Sequence, residues 1–206
     1  TIGYLSGPTQ TRFSYNGREG KVFAKDDMIT LRGQTEYLKL IYEAQVKVIP
    51  INGSMSAWND SNADHGTIRV ENADSAVILL ALGTNYRLSP QVFANKPAEK
   101  LKGYPDPHTE ISQRLIKATQ KGYSQLRTTH INDFSSLTER VQLNIGPKSY
   151  LPTDHLLAAY KAGKQDTYLE ELFFHYGRYL LISSARKGAL PPTLQVVWNQ
   201  YELAPW

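Results

Sequence analysis

The chain has 206 residues, of which 41% are hydrophobic and 20% are charged, and it contains no cysteine. This composition is typical of a folded globular protein, and it excludes disulfides, thiolate metal sites and a cysteine nucleophile. The net charge of +4 comes from basic residues scattered among acidic ones, so we expect no nucleic-acid partner. The longest apolar run, Ala76–Leu82, is too short to span a membrane.

The first part of the chain, residues 1–86, has the pattern of β-strands without helices between them. Asn16-Gly17 predicts a hairpin turn between strands at Thr11–Tyr15 and Lys21–Ala24. Asn, Asp and Gly predict a loop over Ile51–Gly66.

Two further segments of this part predict longer strands. Tyr37–Ile49 alternates in part between apolar and polar residues, as expected of a half-buried strand. The continuous apolar run Ala76–Leu82 predicts a strand that is buried on both faces. Successive strands without helices suggest that residues 1–86 are part of an antiparallel β-sandwich whose sheets lack some of their strands.

A linker with helices is predicted over residues 87–146. Proline and glycine are frequent in residues 86–107, which places a domain boundary there. Helices are predicted at Thr109–Lys121, with Thr109 as its cap, and at Tyr123–Arg140, with Gly122 between them. Residues 141–146 are short and apolar, and their pattern leaves their structure ambiguous.

Residues 147–206 begin with two predicted helices and end in an aromatic segment. The first helix opens at Pro152-Thr153, and the second runs from about Thr167 to about Ala185 and is stopped by Gly188. The second is apolar on more than one face, which suits the inner layer of a large helical domain. Trp and Tyr after such a helix often form a pocket wall, and the candidates here are Trp198, Asn199, Tyr201 and Trp206.

The titratable residues point to no metal or cofactor. The five histidines are too dispersed for a metal site, and the chain has no phosphate-binding or dinucleotide-binding motif. Glu170 and Glu171 lie early in a predicted helix, where acidic residues favour the helix dipole, so a structural role is favoured for both. Glu202 lies in the aromatic segment and is a more interesting carboxylate, although exposure to solvent also explains it.

Four segments, in the same order, resemble glycoside hydrolase family 95, whose members remove terminal α-L-fucose or α-L-galactose. They are ADSAVILLALGTNY (Ala73–Tyr86), HINDFSSLTERVQLNIG (His130–Gly146), LPTDHLLAAYKAG (Leu151–Gly163) and FFHYGRYLLISSARKGALPPTLQVVWNQYELAPW (Phe173–Trp206). The resemblance implies an α+β multidomain fragment. Residues 1–86 would be part of an N-terminal antiparallel β-sandwich, 87–146 a helical linker, and 147–206 the first helices of an (α/α)6 barrel.

The resemblance also implies an exported, inverting, exo-acting enzyme that acts on glycans or plant polysaccharides. The family uses a glutamic acid as general acid and an asparagine, activated by an aspartate, that positions water. All of these residues would lie downstream of Trp206, so no catalytic residue is assigned to this chain, and the 206 residues alone are expected to be inactive. Trp198, Asn199, Tyr201 and Trp206 would then be substrate-binding candidates.

Two alternatives remain open from the sequence. Neither end of the chain resembles a domain terminus, so we expect a piece of a longer polypeptide. If the chain were complete, it would be a non-catalytic carbohydrate-binding module or an interdomain structural fragment. The choice between L-fucose and L-galactose depends on whether a pocket hydrogen-bonds the 6-hydroxyl, because only such a pocket rejects the deoxy sugar strongly.

Overall fold

Six β-strands and four α-helices form the described part of the chain in this computed structural model, which covers residues 18–35, 38–60, 65–189 and 191–192. The strands are β1 (Arg18–Lys25), β2 (Met28–Thr35), β3 (Ile41–Ile51), β4 (Ser54–Asp60), β5 (His65–Glu71) and β6 (Ser75–Thr84). The helices are α1 (Pro90–Ala94), α2 (His108–Thr138), α3 (Thr153–Lys161) and α4 (Thr167–Ser184), with a 3-10 turn at Pro97–Glu99. Antiparallel strands followed by helices confirm the predicted α+β class.

The chain divides into two compact units, residues 1–126 and residues 127–206. In the first unit, β1, β2, β3 and β6 form a four-stranded antiparallel sheet in the order β1-β2-β3-β6, and β4 pairs with β5 in a second sheet. One row across the larger sheet joins Ala24, Ile29, Val46 and Leu80. Residues directly opposite each other point to the same face, so these four side chains share one face of the sheet.

The hydrophobic core of the first unit lies between the two sheets. The smaller sheet contributes Ile68, which is fully buried, and Met55 and Val70 pack beside it. The larger sheet contributes the other buried members of the core, which are Val22, Ala24, Ile29, Val46 and Val48. Burying a Val or Ile side chain stabilises a fold by roughly 1.5–3 kcal/mol, so these contacts hold the sheets face to face.

The two sheets meet closely at β1. The side-chain amide of Asn59 accepts a hydrogen bond from the Ala24 N–H and donates one to the Ala24 carbonyl, each at 2.7 Å. Gly66, the second residue of β5, lies so close to β1 that an added Cβ would overlap the backbone of Phe23 and Ala24. An asparagine that mimics a strand backbone and a glycine without a side chain therefore close this side of the sandwich.

The other face of the larger sheet is covered by the first half of α2. Glu43 and Gln45, which alternate with the core residue Val46, are also buried. Ile111 of α2 is buried, and a Cβ added to Gly83 of β6 would lie 3.0 Å from it. The prediction of a half-buried strand was therefore wrong for the centre of β3, because a helix covers the face that its polar residues occupy.

A buried carboxylate joins this helix to the sheet. The side chain of Glu43 has no solvent exposure, and its Oε1 accepts hydrogen bonds from Gln45 Nε2 at 2.6 Å and His108 Nδ1 at 2.7 Å. Its Oε2 accepts from the guanidinium of Arg32, which also binds both carboxylate oxygens of Asp106. Asp106 in turn accepts from the backbone N–H of His108 at 2.9 Å. The network thus connects β2, β3 and the start of α2.

The Arg32–Asp106 pair also shifts the titration of both groups. The hydrogen bond from Arg32, with a further bond from the His108 N–H, lowers the pKa of Asp106 from 3.8 to about 2. The reciprocal hydrogen bond from Asp106, with that of Glu43, raises the pKa of Arg32 above its usual value. Asp106 is therefore ionised at neutral pH. It also accepts a hydrogen bond from the N–H of His108, the first residue of α2, as a helix cap does.

Several other predictions can be compared with the strands and helices. The loop predicted over Ile51–Gly66 was wrong, since it contains β4, and the hairpin turn at Asn16-Gly17 lies outside the described residues. The break predicted at Gly122 is confirmed, because its φ of 72° and ψ of 162° interrupt α2. Thr109 does not cap this helix, which already begins at His108.

We expect Glu43→Gln to weaken the attachment of α2 to the sheet. The substitution removes the buried charge and turns an amide donor toward the donors that now bind Oε1. The loss should be about 2 kcal/mol, which corresponds to a roughly 30-fold fall in the hydrogen-exchange protection of the β3 amides. Glu71→Gln is the matched control, because Glu71 is exposed and pairs with Arg69, and it should change protection by less than about threefold. Equal effects of the two substitutions would contradict the role given to Glu43.

The titration of Asp106 gives a second test of this network. Because its pKa is lowered in the fold, the pair stabilises the protein above pH 3.8, and this contribution is lost as the pH falls through about 2. The carboxyl is about half exposed, so screening keeps the contribution below about 1 kcal/mol. Carboxyl-carbon NMR should give a midpoint near 2 for Asp106, and Arg32→Gln should return it toward 3.8. An Asp106 midpoint that is unchanged in the Arg32→Gln variant would contradict the pairing of these two residues.

Candidate functional site

The predicted pocket-wall residues lie outside the part of the chain that the structure describes. Trp198, Asn199, Tyr201 and Trp206 all fall within residues 193–206, and so does the candidate carboxylate Glu202. Their roles stay predictions. The described residues do define the helix that precedes this segment and the contacts that hold that helix in place.

Helix α4 forms where the sequence predicts it. The carboxylate of Asp166 accepts a hydrogen bond from the Leu169 N–H at 2.9 Å and caps the first turn. The helix ends at Ser184, close to the predicted end at Ala185. The prediction that Gly188 stops the helix was wrong, because Gly188 lies four residues further on, where its φ of 85° suits a glycine in a left-handed turn.

One edge of α4 binds the backbone of the segment that precedes α3. Arg178 donates to the carbonyls of Thr138 at 3.2 Å and Val141 at 2.8 Å. His175 Nε2 donates to the Leu143 carbonyl at 3.0 Å, and Glu171 accepts from the Ile145 N–H at 3.1 Å. The three side chains are spaced by four and three residues, so they share one helical edge. They hold residues 138–145, most of which are neither helix nor strand. The backbone N–H and C=O groups of such a segment have no partners in regular secondary structure, and these side chains supply them.

A glycine allows this segment to reach the start of α4. A Cβ added to Gly146 would overlap the hydroxyl of Thr167, the first residue of the helix. Farther along, Arg186 forms an ion pair with Asp133 of α2, and the rings of Phe134 and Tyr179 meet edge to face with their centres 5.7 Å apart. These contacts fix α4 against the end of α2 within the second unit.

Two arginines of the second unit have different partners. Arg178 donates to backbone carbonyls. Arg186 donates to both carboxylate oxygens of Asp133. Both guanidinium groups thus bind other parts of the second unit, which favours a structural role for each arginine over substrate binding.

The adjacent face of α4, which shares Arg178 with that edge, forms a shallow groove of about 420 Å³. Its lining residues follow the spacing of one helix face, and they are Glu170, Phe173, Phe174, Gly177, Arg178 and Leu181. Phe173 is 79% exposed, and the Arg178 guanidinium lies over the Phe174 ring at 5.9 Å from its centre. Gly177 lies in the middle, with no atom within 4 Å of the position of an added Cβ. The face is therefore mainly apolar and exposed, with a glycine that has no side chain at its centre.

The carboxylates of α4 do not form a catalytic pair. Glu170 accepts a hydrogen bond from the Tyr160 hydroxyl at 3.0 Å, and this bond raises the pKa of Tyr160. Glu171 instead accepts from the Ile145 N–H. Successive helix residues point about 100° apart, so the two groups cannot stand on opposite sides of one glycosidic bond as an acid and a base would. The structural interpretation of both residues is supported by these partners.

Three of the described histidines contact carboxylate, carbonyl or aromatic groups. His108 binds Glu43, His175 binds the Leu143 carbonyl, and His130 stacks on Phe134. Within residues 18–35, 38–60, 65–189 and 191–192, no three His, Asp or Glu side chains come together as a metal site would require. In the same part of the chain, no helix is long and apolar enough to cross a membrane.

Comparison with known proteins connects this helix and its surroundings to an enzyme class. Residues 122–206 match the glycosyl hydrolase family 95 catalytic domain. The chain is 33% identical over 183 residues to "Probable alpha-fucosidase A" of Aspergillus niger, with 86% of this chain and 22% of the relative covered. It is 35% identical over 146 residues to "Alpha-L-fucosidase 2" of Arabidopsis thaliana, with 68% of this chain and 16% of the relative covered.

These matches confirm the resemblance to glycosyl hydrolase family 95 that the motifs predicted. The chain spans about a fifth of the length of the curated relatives that it matches. The matched region of the family begins at Gly122, the residue that breaks α2, and it includes α3 and α4.

Sequence reasoning missed the backbone-binding edge of α4 and the glycine in its groove. The edge could not be found, because carbonyl acceptors are present at every residue and leave no mark in the sequence. Gly177 did leave a signal, since a glycine in the interior of an apolar helix usually has a packing reason.

We expect Gly146→Ala to displace the 138–145 segment from α4. The added methyl group overlaps the Thr167 side chain, and such overpacking costs about 1–3 kcal/mol. Gly177→Ala is the matched control, because its methyl group meets no atom and alanine favours a helix over glycine. Proteolytic cleavage within residues 138–145 should become about tenfold faster in the first variant and should not accelerate in the second. Equal cleavage rates in both variants would contradict the close approach at Gly146.

Proposed function

We propose that this chain is part of an inverting, exo-acting glycoside hydrolase that releases terminal α-L-fucose or α-L-galactose from glycans or plant polysaccharides. The observation that carries the proposal is the match of residues 122–206 to the catalytic domain of the family. Both relatives are named as α-fucosidases, which supports L-fucose as the sugar. The proposal concerns the whole polypeptide, because this chain spans only about a fifth of those relatives.

The proposed domain organisation follows from the same resemblance. Residues 1–86 are part of a β-sandwich domain, residues 87–146 are a linker with helices, and residues 147–206 open an (α/α)6 catalytic barrel. The exposed groove on α4 supports the last point. Its central Gly177 would let the axis of another helix approach closely, and an inner helix of such a barrel needs neighbours on more than one side.

The 206 residues contribute pocket wall and not catalytic groups in this proposal. The general acid and the water-positioning asparagine lie downstream of Trp206. Trp198, Tyr201 and Trp206 would stack on the C–H face of a pyranose, and Asn199 would hydrogen-bond its hydroxyls. The rigid attachment of α4 to residues 138–145 and to Asp133 supports this role, because a wall segment is best positioned by a fixed helix.

Two further properties belong to the proposal. The substrate class implies an exported enzyme, periplasmic or extracellular, because terminal sugars of glycans and plant polysaccharides lie outside the cytoplasm. Acid–base hydrolysis by carboxyl and amide side chains proceeds without a cofactor.

The experiment compares the full polypeptide expressed from its source gene with the 206-residue chain, using aryl α-L-fucoside and aryl α-L-galactoside. We expect hydrolysis by the full polypeptide alone, and proton NMR should detect β-L-fucose as the first product because the configuration inverts. A pocket that hydrogen-bonds the 6-hydroxyl should prefer the galactoside by about 10⁴-fold or more. An apolar pocket should discriminate by no more than about 10²-fold. Release of α-L-fucose as the first product would contradict an inverting enzyme.

The wall residues are tested in the same assay. Trp198→Ala should lower kcat/KM about tenfold, which corresponds to about 1.4 kcal/mol, through lost stacking on the sugar. Tyr150→Ala is the control, because Tyr150 is 97% exposed within the described residues and lies before α3. If both substitutions leave kcat/KM unchanged while the enzyme is active, Trp198 is not part of the substrate pocket.

A further inference from the structure

The outer face of the smaller sheet presents one large aromatic side chain to solvent. In β4, Met55 packs on the core and Asn59 binds Ala24, so both side chains point toward the larger sheet. Strand residues alternate between faces, and Trp58 therefore points outward, where it is 59% exposed. Among the described residues, no aromatic ring or cation stacks on its indole. The flat face of this ring is open to a ligand.

The other outward side chains around this indole are polar. On β5, Thr67 lies directly opposite Trp58, and Arg69 lies opposite Ser56 one row further along. Directly opposite residues share a face, with their Cβ atoms about 5 Å apart. The guanidinium of Arg69 forms an ion pair of 2.8 Å with Glu71 on the same face. Hydroxyl groups, a guanidinium and a carboxylate thus surround a single apolar ring.

The centre of this face is held in place from behind. Asn59, the neighbour of Trp58 in β4, forms two hydrogen bonds of 2.7 Å with the backbone of Ala24. Gly66, the neighbour of Thr67 in β5, lies against the same strand of the larger sheet. A binding group on such a fixed strand loses little conformational freedom when a ligand arrives.

The size of the face favours a narrow ligand over a protein. Each of the two strands has seven residues, which makes the face about 23 Å long and about 10 Å wide. Its area of about 230 Å² is well below the roughly 800 Å² that each partner buries in a stable protein interface. Its polar residues also leave the indole without the packed apolar neighbours that accompany a protein hot spot. A second copy of the chain would therefore gain little by binding here.

We propose that the outer face of the smaller sheet binds the uncharged backbone of a polysaccharide, with a pyranose ring stacked on Trp58. The C–H face of the sugar packs on the indole, and the hydroxyls at its rim bond to the polar side chains of the face, Ser56, Thr67 and Arg69. Because Arg69 and Glu71 balance each other's charge, the face does not concentrate polyanions.

The choice of a polysaccharide rests on the proposed function, in which the enzyme removes terminal sugars from such a polymer. The binding face belongs to the first unit, whereas the pocket-wall candidates lie in residues 193–206 of the second. It therefore adds a contact to the polymer backbone that is separate from the contact to the terminal sugar.

The experiment measures binding of the full polypeptide to hydroxyethylcellulose and to galactomannan by affinity electrophoresis. These neutral polymers contain no L-fucose or L-galactose, so the proposed catalytic pocket does not hold them. Trp58→Ala should raise the Kd for at least one polymer about tenfold through lost stacking. Trp58→Phe keeps a smaller ring and should raise it less than about threefold. Phe93→Ala is the matched control, because Phe93 is 74% exposed on α1 of the same unit, and it should leave the Kd unchanged.

Three results would overturn the proposal. In the first, neither polymer retards the full polypeptide. In the second, the polymers retard Trp58→Ala as strongly as the unsubstituted protein. In the third, sedimentation velocity shows self-association that Trp58→Ala abolishes, which would make a second copy the occupant.

Hydrolysis of an aryl α-L-fucoside separates this proposal from the proposed function. Its rate should be equal in the three variants and the unsubstituted protein, because Trp58 and Phe93 lie in the first unit and outside the proposed pocket. Polymer binding through Trp58 without any hydrolysis would contradict the proposed function and leave the binding face supported. Hydrolysis without polymer binding would contradict the binding face alone.

Discussion

The first unit depends on one buried charge. The carboxylate of Glu43 has no solvent exposure, and a buried ion costs several kcal/mol unless donors surround it. Its donors come from β2, β3 and the first residue of α2, so the charge is compensated only when the strands and the helix are all in place. A purely apolar face would let the helix slide, whereas this network accepts one register. The same contacts place Asp106 at the start of the helix, so one constraint fixes both its position and its first turn.

Strands β3 and β6 show what the sequence could predict and what it could not. Both were predicted as strands, and the alternation in β3 correctly placed Val46 on the core face. The burial of both strands was predicted wrongly, in opposite directions. Polar Glu43 and Gln45 are buried because a helix covers them, and apolar Leu80 is exposed because no described strand does. A hydrophobic pattern states what a side chain prefers, and only the tertiary partner decides whether the preference is met.

The candidate site shows the same division. The extent of α4 was predictable, because an acidic cap and apolar periodicity are written in its own residues. Its attachment was not, because His175 and Arg178 bind carbonyl groups more than thirty residues away. Motifs could indicate the family without any of these contacts, because a family resemblance depends on the identity of residues and not on their hydrogen-bond partners. The pocket-wall residues follow from that resemblance, and their geometry lies outside the described residues.

The exposed apolar faces of the two units share a physical logic. In each unit the covered side is closed by a residue chosen for close approach, Gly66 at β1 and Gly146 at α4. The uncovered side is apolar, on β6 in one unit and around Gly177 in the other. Exposed apolar surface of this kind marks a contact surface rather than a finished exterior. Gly177 is informative for this reason. A glycine inside a helix costs about 0.5–1 kcal/mol relative to alanine, and among the described residues the space that a Cβ would occupy at Gly177 is empty. Close approach by a further element would supply the missing stabilisation.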